Sequence, residues 1–141
     1  MASPLARAIE IAARAHVDQV DKVGAPYVLH PLRMMLRMAT DEEKMAAVLH
    51  DVVEDTDVSL DDLRREGIPE AVLAAVDALT KRPDEDYTAF VHRAAANPIA
   101  RRVKMADLED NMNLLRLQEV TDSAVERLRK YHAHWRILCK E

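Results

Sequence analysis

Apolar residues recur every three or four positions along most of the chain, the spacing of one buried face of an α-helix. Every apolar run has a period near 3.6 residues, and only two glycines are present to form tight turns. The pattern therefore predicts an all-α fold of about seven or eight helices and no sheet. The predicted helices cover residues 4–20, 31–39, 41–56, 60–66, 69–79, 87–96, 98–112 and 122–138.

Residues with strong terminal preferences mark several of these boundaries. Thr40 precedes Glu43 by three positions, the spacing of a capping box at a helix start. Asn97 followed by Pro98 combines a favoured cap with a favoured first helical residue. Gly67 follows an apolar run, where a residue with positive φ commonly ends a helix. These signals agree with the apolar periodicity and predict the same segments.

Composition supports the helical interpretation and bounds the size of the fold. The chain has 141 residues, of which 49% are hydrophobic but only 4% aromatic, so alanine, leucine, valine and methionine supply the apolar mass. That mixture favours helices over strands. A chain of this length can bury a core without disulfides or structural metals. We expect one domain over residues 1–141.

Charge and cysteine content exclude several functional classes. A net charge of −5 argues against a nucleic-acid partner, which usually requires a basic surface. No segment reaches the length of about 18 apolar residues that a membrane span requires, so we expect no membrane partner. Cys139 is the single cysteine, which excludes a disulfide framework and favours a reducing, cytoplasmic location. The sequence leaves the oligomeric state open.

The stretch from residue 46 to residue 56 carries the densest candidate chemistry. His50 and Glu54 are four residues apart, as are Asp51 and Asp55, and on a continuous helix such pairs lie roughly 5–6 Å apart. Each residue alone is most simply a solvated polar group at a helix end. An imidazole and three carboxylates in one small region instead predict a functional site.

Two further segments carry polar residues that become meaningful only if they meet this stretch in space. His30 precedes Pro31, so it is pushed out of the helical region and placed at the mouth of the next helix. Asp107 and Asn111 lie one turn apart on a later helix. His16 lies beside an apolar stripe, and we interpret it as a core residue.

Three motifs together resemble the HD-domain metal-dependent phosphohydrolases, and more closely the small alarmone hydrolases and the hydrolase domain of the Rel/Spo stringent-response enzymes. They occur in the family's order and span most of the chain. The resemblance implies a single HD-type helical bundle. The matching residues are Ala15-His16-x-x-Gln19-x-x-Lys22-x-Gly24-x-Pro26-Tyr27-x-x-His30-Pro31, Leu49-His50-Asp51-Val52-Val53-Glu54-Asp55-Thr56 and Val103-Lys104-x-Ala106-Asp107-x-x-x-Asn111.

The same resemblance implies roles for individual residues. Glu54 and Asp55 match the acidic pair that orients and deprotonates the attacking water. The implied cofactor is Mn²⁺, although this donor set also suits other first-row divalent ions. The residues at the positions of the metal ligands are His30, His50, Asp51 and Asp107.

The implied substrate is a phosphorylated nucleotide. Lys22 and Asn111 match residues that hold nucleotide and phosphates, whereas Lys81, Arg127 and Tyr131 match weaker positions, for which a purely structural role is equally open. The family commonly has a base-stacking arginine immediately before this lysine, but here the residue is Asp21. A carboxylate cannot provide the stacking of an arginine, so hydrolysis is better supported than guanine specificity.

Three functions follow in order of preference. The first is removal of the 3′-pyrophosphate from guanosine tetra- or pentaphosphate by metal-activated water. The second is hydrolysis of another phosphorylated nucleotide, such as an adenine alarmone or a phosphorylated dinucleotide. The third is a helical module that binds a nucleotide without turnover, for which the sequence mark would be the loss of a ligand or of the Glu54-Asp55 pair.

Overall fold

A computed structural model describes residues 2–140, and those residues form an all-α fold. Val20 and Pro26 form an isolated antiparallel bridge within this range. The predicted fold class is confirmed. The described part of the chain contains nine α-helices, which are α1 (Pro4–Ala15), α2 (Leu29–Leu36), α3 (Asp41–Leu49), α4 (Val52–Asp55), α5 (Leu60–Arg65), α6 (Glu70–Ala78), α7 (Tyr87–Ala95), α8 (Pro98–Asn111) and α9 (Asp122–Lys140), and a 3₁₀ turn spans Leu114–Arg116.

The predicted helix starts are stabilised by the expected side-chain caps. The Thr40 hydroxyl accepts a hydrogen bond from the Glu43 N–H at 3.1 Å, and the Glu43 carboxylate accepts one from the Thr40 N–H at 3.0 Å. The Asn97 side chain caps α8, in which Pro98 is the first residue. Gly67 follows α5 with φ of +90°, a conformation that costs glycine little.

The first two helices differ from their predicted bounds. α1 ends at Ala15 instead of residue 20, and His16 caps it while Nδ1 of its ring lies 2.7 Å from Oε1 of Gln19. α2 begins at Leu29, two residues before the predicted start. Pro31 is therefore inside the first turn, where its missing N–H breaks no helical hydrogen bond. This shift places His30 in the first turn of α2, so it lies at the mouth of the helix as predicted, but the prediction that Pro31 pushes it out of the helical region is wrong.

The helix predicted over residues 41–56 is interrupted, and that prediction is wrong in this respect. α3 ends at Leu49, and the short α4 begins at Val52. Nδ1 of His50 donates to the carbonyl oxygen of Ala47 at 2.8 Å, the acceptor that the Asp51 N–H would use in a continuous helix. The ring thus replaces a backbone hydrogen bond and allows the chain to change direction at Asp51.

The main core surrounds α3, which packs against α1, α2, α6 and α8. Residues 46–49 of α3 are completely buried. A second apolar cluster joins α7, α8 and α9 through Val91, Leu108 and Leu138. Because α3 runs through the middle of the fold, its C-terminal end places His50 in the interior beside α2 and α8.

None of the helices described is long and apolar enough to cross a membrane.

The predicted single domain covers residues 1–141, and of these Met1 and Glu141 lie outside the described residues. The assignment of the whole range to one HD-type domain stays a prediction.

Candidate functional site

Two histidines and one aspartate meet in the interior: His30 on α2, His50 at the C-terminal cap of α3, and Asp107 on α8. Nε2 of His30 lies 2.9 Å from Oδ1 of Asp107, and Nε2 of His50 lies 3.7 Å from the same oxygen. One ligand atom from each residue lies within 4.8 Å of the others. The three residues are 6%, 2% and 8% exposed, respectively. Residues that are distant in sequence are therefore brought together in a buried cluster.

Asp51, the fourth predicted ligand, lies at the edge of this cluster. Its Oδ2 is 2.9 Å from Nε2 of His50 and also accepts a hydrogen bond from the Tyr27 hydroxyl. Asp51 also belongs to a second cluster, made of the three carboxylates of Asp51, Glu54 and Asp55, whose ligand atoms again lie within 4.8 Å of one another. Asp51 thus connects the His–Asp cluster to the predicted catalytic pair. Its assignment as a metal ligand stays a prediction.

The donor atoms of the His–Asp cluster fit a divalent metal ion. Nε2 of His50 is buried and makes no hydrogen bond, because its short approach to Asp51 lacks the required geometry. Buried nitrogen atoms are normally satisfied, so an unpartnered nitrogen directed into a polar cluster is well explained as a metal donor. Imidazole and carboxylate donors together suit first-row divalent cations. This cluster can therefore hold a divalent metal ion.

The electrostatics of the cluster favour a cation. Burial lowers the pKa of His50, but the carboxylates of Asp51 and Asp107 outweigh this and hold the pKa well above its ordinary value. Without a metal, these carboxylates therefore stabilise a positive charge on the ring. A metal ion must displace that proton, because only the neutral imidazole is a ligand.

Lys104 is a buried cation beside the cluster that the sequence analysis did not assign to the site. Its Nζ lies 2.9 Å from Oδ2 of Asp107 and about 5 Å from the ring centres of Tyr87 and Phe90. Burial lowers the pKa of Lys104, but Asp107 and Tyr87 raise it more, so the lysine stays charged. The spacing of three residues between Lys104 and Asp107 was the available sequence signal.

Glu54 and Asp55 lie towards the solvent side of the cluster. The Glu54 carboxylate accepts a hydrogen bond from the backbone N–H of Lys81 at 2.9 Å. Partial burial and then the neighbouring Asp51 carboxylate raise the pKa of both residues above their usual values. A raised pKa makes a carboxylate a better proton acceptor. Because the helix breaks at residues 50–51, Glu54 is not on the same helix as His50, contrary to prediction.

Two adjoining cavities open beside the cluster. One, of about 350 Å³, is lined by His30, His50, Asp51, Glu54 and Asp107. The other, of about 300 Å³, has walls from the loop after α1, the 3₁₀ turn and α9. The residues that line both cavities are Tyr27, Asn111 and Tyr131.

The predicted substrate-binding residues are distributed over these cavities. Lys22 and Arg127 line the 300 Å³ cavity, and Lys81 lines the 350 Å³ cavity. Asn111 also donates to Oδ1 of Asp107 at 3.1 Å, which joins the cavity wall to the His–Asp cluster. Tyr131 lies where the two cavities meet. The structure therefore gathers all five residues around one site, and their binding roles stay predictions.

Asp21 has a structural role in the loop. Its Oδ1 accepts hydrogen bonds from the backbone N–H groups of Val23 and Ala25, both at 2.9 Å. The side chain therefore stabilises the turn at Gly24, which has φ of +84°. This contact explains why an aspartate suits the position, and it leaves the cavity wall without a stacking guanidinium there.

Sequence reasoning missed a group of polar residues behind His30. Nδ1 of His30 donates to Oδ2 of Asp110 at 2.6 Å, and Arg33 and Arg116 bind the same aspartate. Burial raises the pKa of Asp110, but the hydrogen bonds from His30 and Arg33 outweigh this and hold it well below its usual value. Asp110 is three residues after Asp107, yet no local spacing points to its contact with His30.

Comparisons with known proteins agree with this geometry. The guanosine-3′,5′-bis(diphosphate) 3′-pyrophosphohydrolase MESH1 of Drosophila melanogaster is 32% identical over 135 residues, which cover 87% of this chain and 75% of MESH1. The corresponding pyrophosphohydrolase of Aquifex aeolicus is 32% identical over 126 residues, 81% of this chain. A GTP pyrophosphokinase of Streptomyces coelicolor is 35% identical over 123 residues, 78% of this chain.

The share of each relative that is matched differs greatly. The chain spans less than a fifth of the Aquifex and Streptomyces proteins, at 18% and 14% of their lengths. No family model matches the sequence.

A solved structure shows the same architecture. It is described as a metazoan ortholog of SpoT that hydrolyzes ppGpp and plays a role in starvation responses. The two structures superpose with a TM-score of 0.77 at 26% identity, over 98% of this chain and 84% of the other. Fold, site geometry and a relative matched over three quarters of its length agree. The chain therefore belongs to the HD-type alarmone hydrolase family, whose members include the guanosine-3′,5′-bis(diphosphate) 3′-pyrophosphohydrolases.

Proposed function

We propose that this protein is a metal-dependent hydrolase that removes pyrophosphate from the ribose 3′ position of guanosine tetra- and pentaphosphate. The observation that carries the proposal is the convergence of His30, His50 and Asp107 beside Glu54 in the wall of the 350 Å³ cavity. The named activities of MESH1 and of the metazoan SpoT ortholog support the choice of substrate.

The residues that would hold the metal ion are His30, His50 and Asp107, with Asp51 adjoining them. We propose Mn²⁺ as the cofactor. When bound, such an ion makes water nucleophilic near neutral pH and polarises phosphoryl oxygens. Lys104 neutralises one oxygen of Asp107, while the Asn111 amide and the His30 ring face the other. These contacts fix the orientation of the Asp107 carboxylate in the cluster.

Glu54 and Asp55 are suited to accept the proton of the attacking water. Glu54 is anchored through the backbone of Lys81 and lines the cavity that contains the cluster. Asp55 belongs to the same cluster of three carboxylates, with Asp51 and Glu54. Their raised pKa values bring them nearer to the working pH of a general base. The proton then passes to a carboxylate held within the site instead of to bulk solvent.

The cations around the cavities suit a highly phosphorylated ligand. Lys81 lies beside the His–Asp cluster, and Lys22 and Arg127 lie on the walls of the adjoining cavity. Positive charges in a partly enclosed site attract phosphate even when the protein as a whole is acidic. Apolar side chains in the 300 Å³ cavity, such as Leu128, offer a surface for a nucleoside. We propose that phosphates occupy the cavity of about 350 Å³ and that the nucleoside occupies the cavity of about 300 Å³.

Turnover of a nucleotide panel tests the proposed function. Protein stripped of metal with a chelator and reloaded with Mn²⁺ should release pyrophosphate from guanosine tetra- and pentaphosphate, measured by chromatography of the products. The stripped protein should be inactive, because the water is then not activated. Release of phosphate from other nucleotides, without pyrophosphate from these two, would refute the substrate assignment. Tight binding of nucleotides without turnover would instead support a non-catalytic module.

One observation favours a second candidate, the hydrolysis of a related nucleotide such as an adenine alarmone or a phosphorylated dinucleotide. Position 21 carries a carboxylate that is occupied by the loop backbone, so no guanidinium stacks on a base there. We expect a preference for guanine over adenine substrates in a direct competition assay of kcat/KM. Equal or reversed values would identify the second candidate as the better description.

We also propose that residues 1–141 act as one HD-type domain in the cytoplasm, on a small phosphorylated nucleotide and without a nucleic-acid or membrane partner. The net charge of −5 and the single cysteine support this setting.

A further inference from the structure

Asp110 is a buried carboxylate directly behind one of the two histidines of the site. It lies on α8, is 8% exposed, and its Oδ2 is 2.6 Å from Nδ1 of His30. The other nitrogen of the same ring, Nε2, faces Asp107 at 2.9 Å. His30 therefore has one nitrogen directed into the His–Asp cluster and the other directed at Asp110.

Two arginines hold Asp110 in a fixed orientation. Arg33 donates from Nε to Oδ1 and from Nη2 to Oδ2, each at 2.9 Å. Arg116 donates from Nη2 to the backbone carbonyl oxygen of Asp110 at 2.9 Å and approaches its Oδ1 at 3.4 Å. A bidentate guanidinium fixes the plane of a carboxylate. Asp110 therefore has little freedom to turn away from His30.

The chemistry of this contact determines where the imidazole can carry its proton. A neutral imidazole has one N–H donor and one acceptor nitrogen, whereas an ionised carboxylate only accepts. A carboxylate faces each nitrogen of His30, Asp110 at 2.6 Å from Nδ1 and Asp107 at 2.9 Å from Nε2. The neutral form that can bind a metal ion in the cluster is the one with its proton on Nδ1, where Asp110 accepts it over the shorter distance. The lone pair is then on Nε2, the nitrogen that faces Asp107 and the cluster.

The two histidines of the site are oriented by different groups. Nδ1 of His50 donates to the backbone carbonyl of Ala47 at 2.8 Å, so its tautomer is fixed by the main chain. Nδ1 of His30 donates instead to a side chain. A substitution can remove the second contact but not the first.

We propose that Asp110 is a positioning residue that fixes His30 in its Nδ1–H tautomer, with Nε2 free to bind the metal ion, and that Arg33 and Arg116 hold the Asp110 carboxylate for this purpose. The inference rests on the metal site of the proposed function. Contacts of this kind to the outer nitrogen of a ligating histidine orient the ring and strengthen the metal bond.

Asp110→Asn tests the inference with little change in shape. The arginines can only donate, so their hydrogen bonds favour the amide oxygen, and His30 is the one neighbour able to change from donor to acceptor. The amide NH₂ group then faces Nδ1 and drives the proton to Nε2. We expect Mn²⁺ affinity, measured by calorimetry without nucleotide, to fall about 10- to 100-fold, the usual effect of losing such a contact.

Glu109→Gln is the matched control for this experiment. Glu109 is the neighbouring carboxylate on α8, where it binds Arg37 and the indole N–H of Trp135. It makes no contact with His30 among the described hydrogen bonds and ion pairs. We expect its Mn²⁺ affinity to equal that of the wild type. An Asp110→Asn protein with unchanged Mn²⁺ affinity would overturn the proposal.

A spectroscopic measurement tests the tautomer directly and needs no variant. Long-range ¹H–¹⁵N spectra of the wild-type protein loaded with diamagnetic Zn²⁺ should show His30 protonated at Nδ1 and metal-bound at Nε2. A proton on Nε2, or metal on Nδ1, would overturn the proposal even if Asp110→Asn failed to fold. In a folded Asp110→Asn protein, the metal-free spectrum should shift towards the Nε2–H form.

These outcomes separate the inference from the proposed function. If the wild type binds Mn²⁺ and Asp110→Asn weakens it, but no pyrophosphate is released from guanosine tetraphosphate, the positioning role stands and the proposed activity fails. If the wild type binds neither Mn²⁺ nor Zn²⁺, both the inference and the metal site are overturned.

Discussion

Glu54→Gln is expected to lower kcat about 100-fold or more, the usual scale for losing a positioned general base. Glutamine has nearly the same size and can still accept the Lys81 N–H through its amide oxygen, so the local structure should persist. It cannot take a proton from water. Because Glu54 lies outside the His30, His50 and Asp107 cluster, Mn²⁺ affinity and the melting temperature should stay close to the parent values.

Glu70→Gln provides the comparison for this variant. Glu70 is an exposed residue of α6 that pairs with Arg64, and it lines neither cavity of the site. Its kcat should equal that of the wild type. Steady-state kinetics beside calorimetric Mn²⁺ titration separates the possible roles of Glu54. Full activity in Glu54→Gln would show that Glu54 is not the base, and lost Mn²⁺ binding would show that it is a ligand.

His50→Ala is expected to abolish both Mn²⁺ binding and turnover. The ring is buried at the C-terminal cap of α3, and its Nε2 is an unsatisfied nitrogen within the His–Asp cluster. Its removal leaves the Asp51 and Asp107 carboxylates without the imidazole between them. Ligand binding stabilises a native protein by about 2.7 kcal/mol at 100 times Kd, so the wild type should melt at a higher temperature when Mn²⁺ is added. The variant should lose that dependence.

Thermal denaturation with and without Mn²⁺, together with turnover, checks this expectation. His132→Ala is a suitable control, because His132 is exposed on α9 and stacks on Trp135 away from the His–Asp cluster. It should retain the Mn²⁺-dependent rise in melting temperature. If His50→Ala also retains the rise, His50 is not a ligand of the ion.

The sequence alone determined the helical fold and most helix starts, because both depend on residues close together in the chain. Apolar periodicity reports which face of a helix is buried, and the caps at Thr40 and Asn97 are contacts over two or three residues. The family motifs also named His30, His50 and Asp107 as neighbours, which the structure places in one cluster. Their metal-binding role itself stays a prediction.

The interruption of the central helix could not be predicted from periodicity. Apolar spacing continues through residues 50 and 51, so the pattern predicts one helix. The helix breaks because Nδ1 of His50 donates to the carbonyl oxygen of Ala47 in place of a backbone N–H. The spacing of apolar residues carries no information about such a competition between side chain and backbone.

Only the tertiary structure decided which polar groups support the site. His30 and Asp110 are 80 residues apart, and their contact depends on the packing of α2 against α8. Arg33 and Arg116 reach the same carboxylate from α2 and from the turn after α8. Sequence spacing specifies partners within a helix, where the geometry is fixed, but not across helices, where the crossing angle and the core side chains determine which groups meet. The residues of the cluster could therefore be predicted from the sequence, whereas Asp110, which contacts Nδ1 of His30, could not.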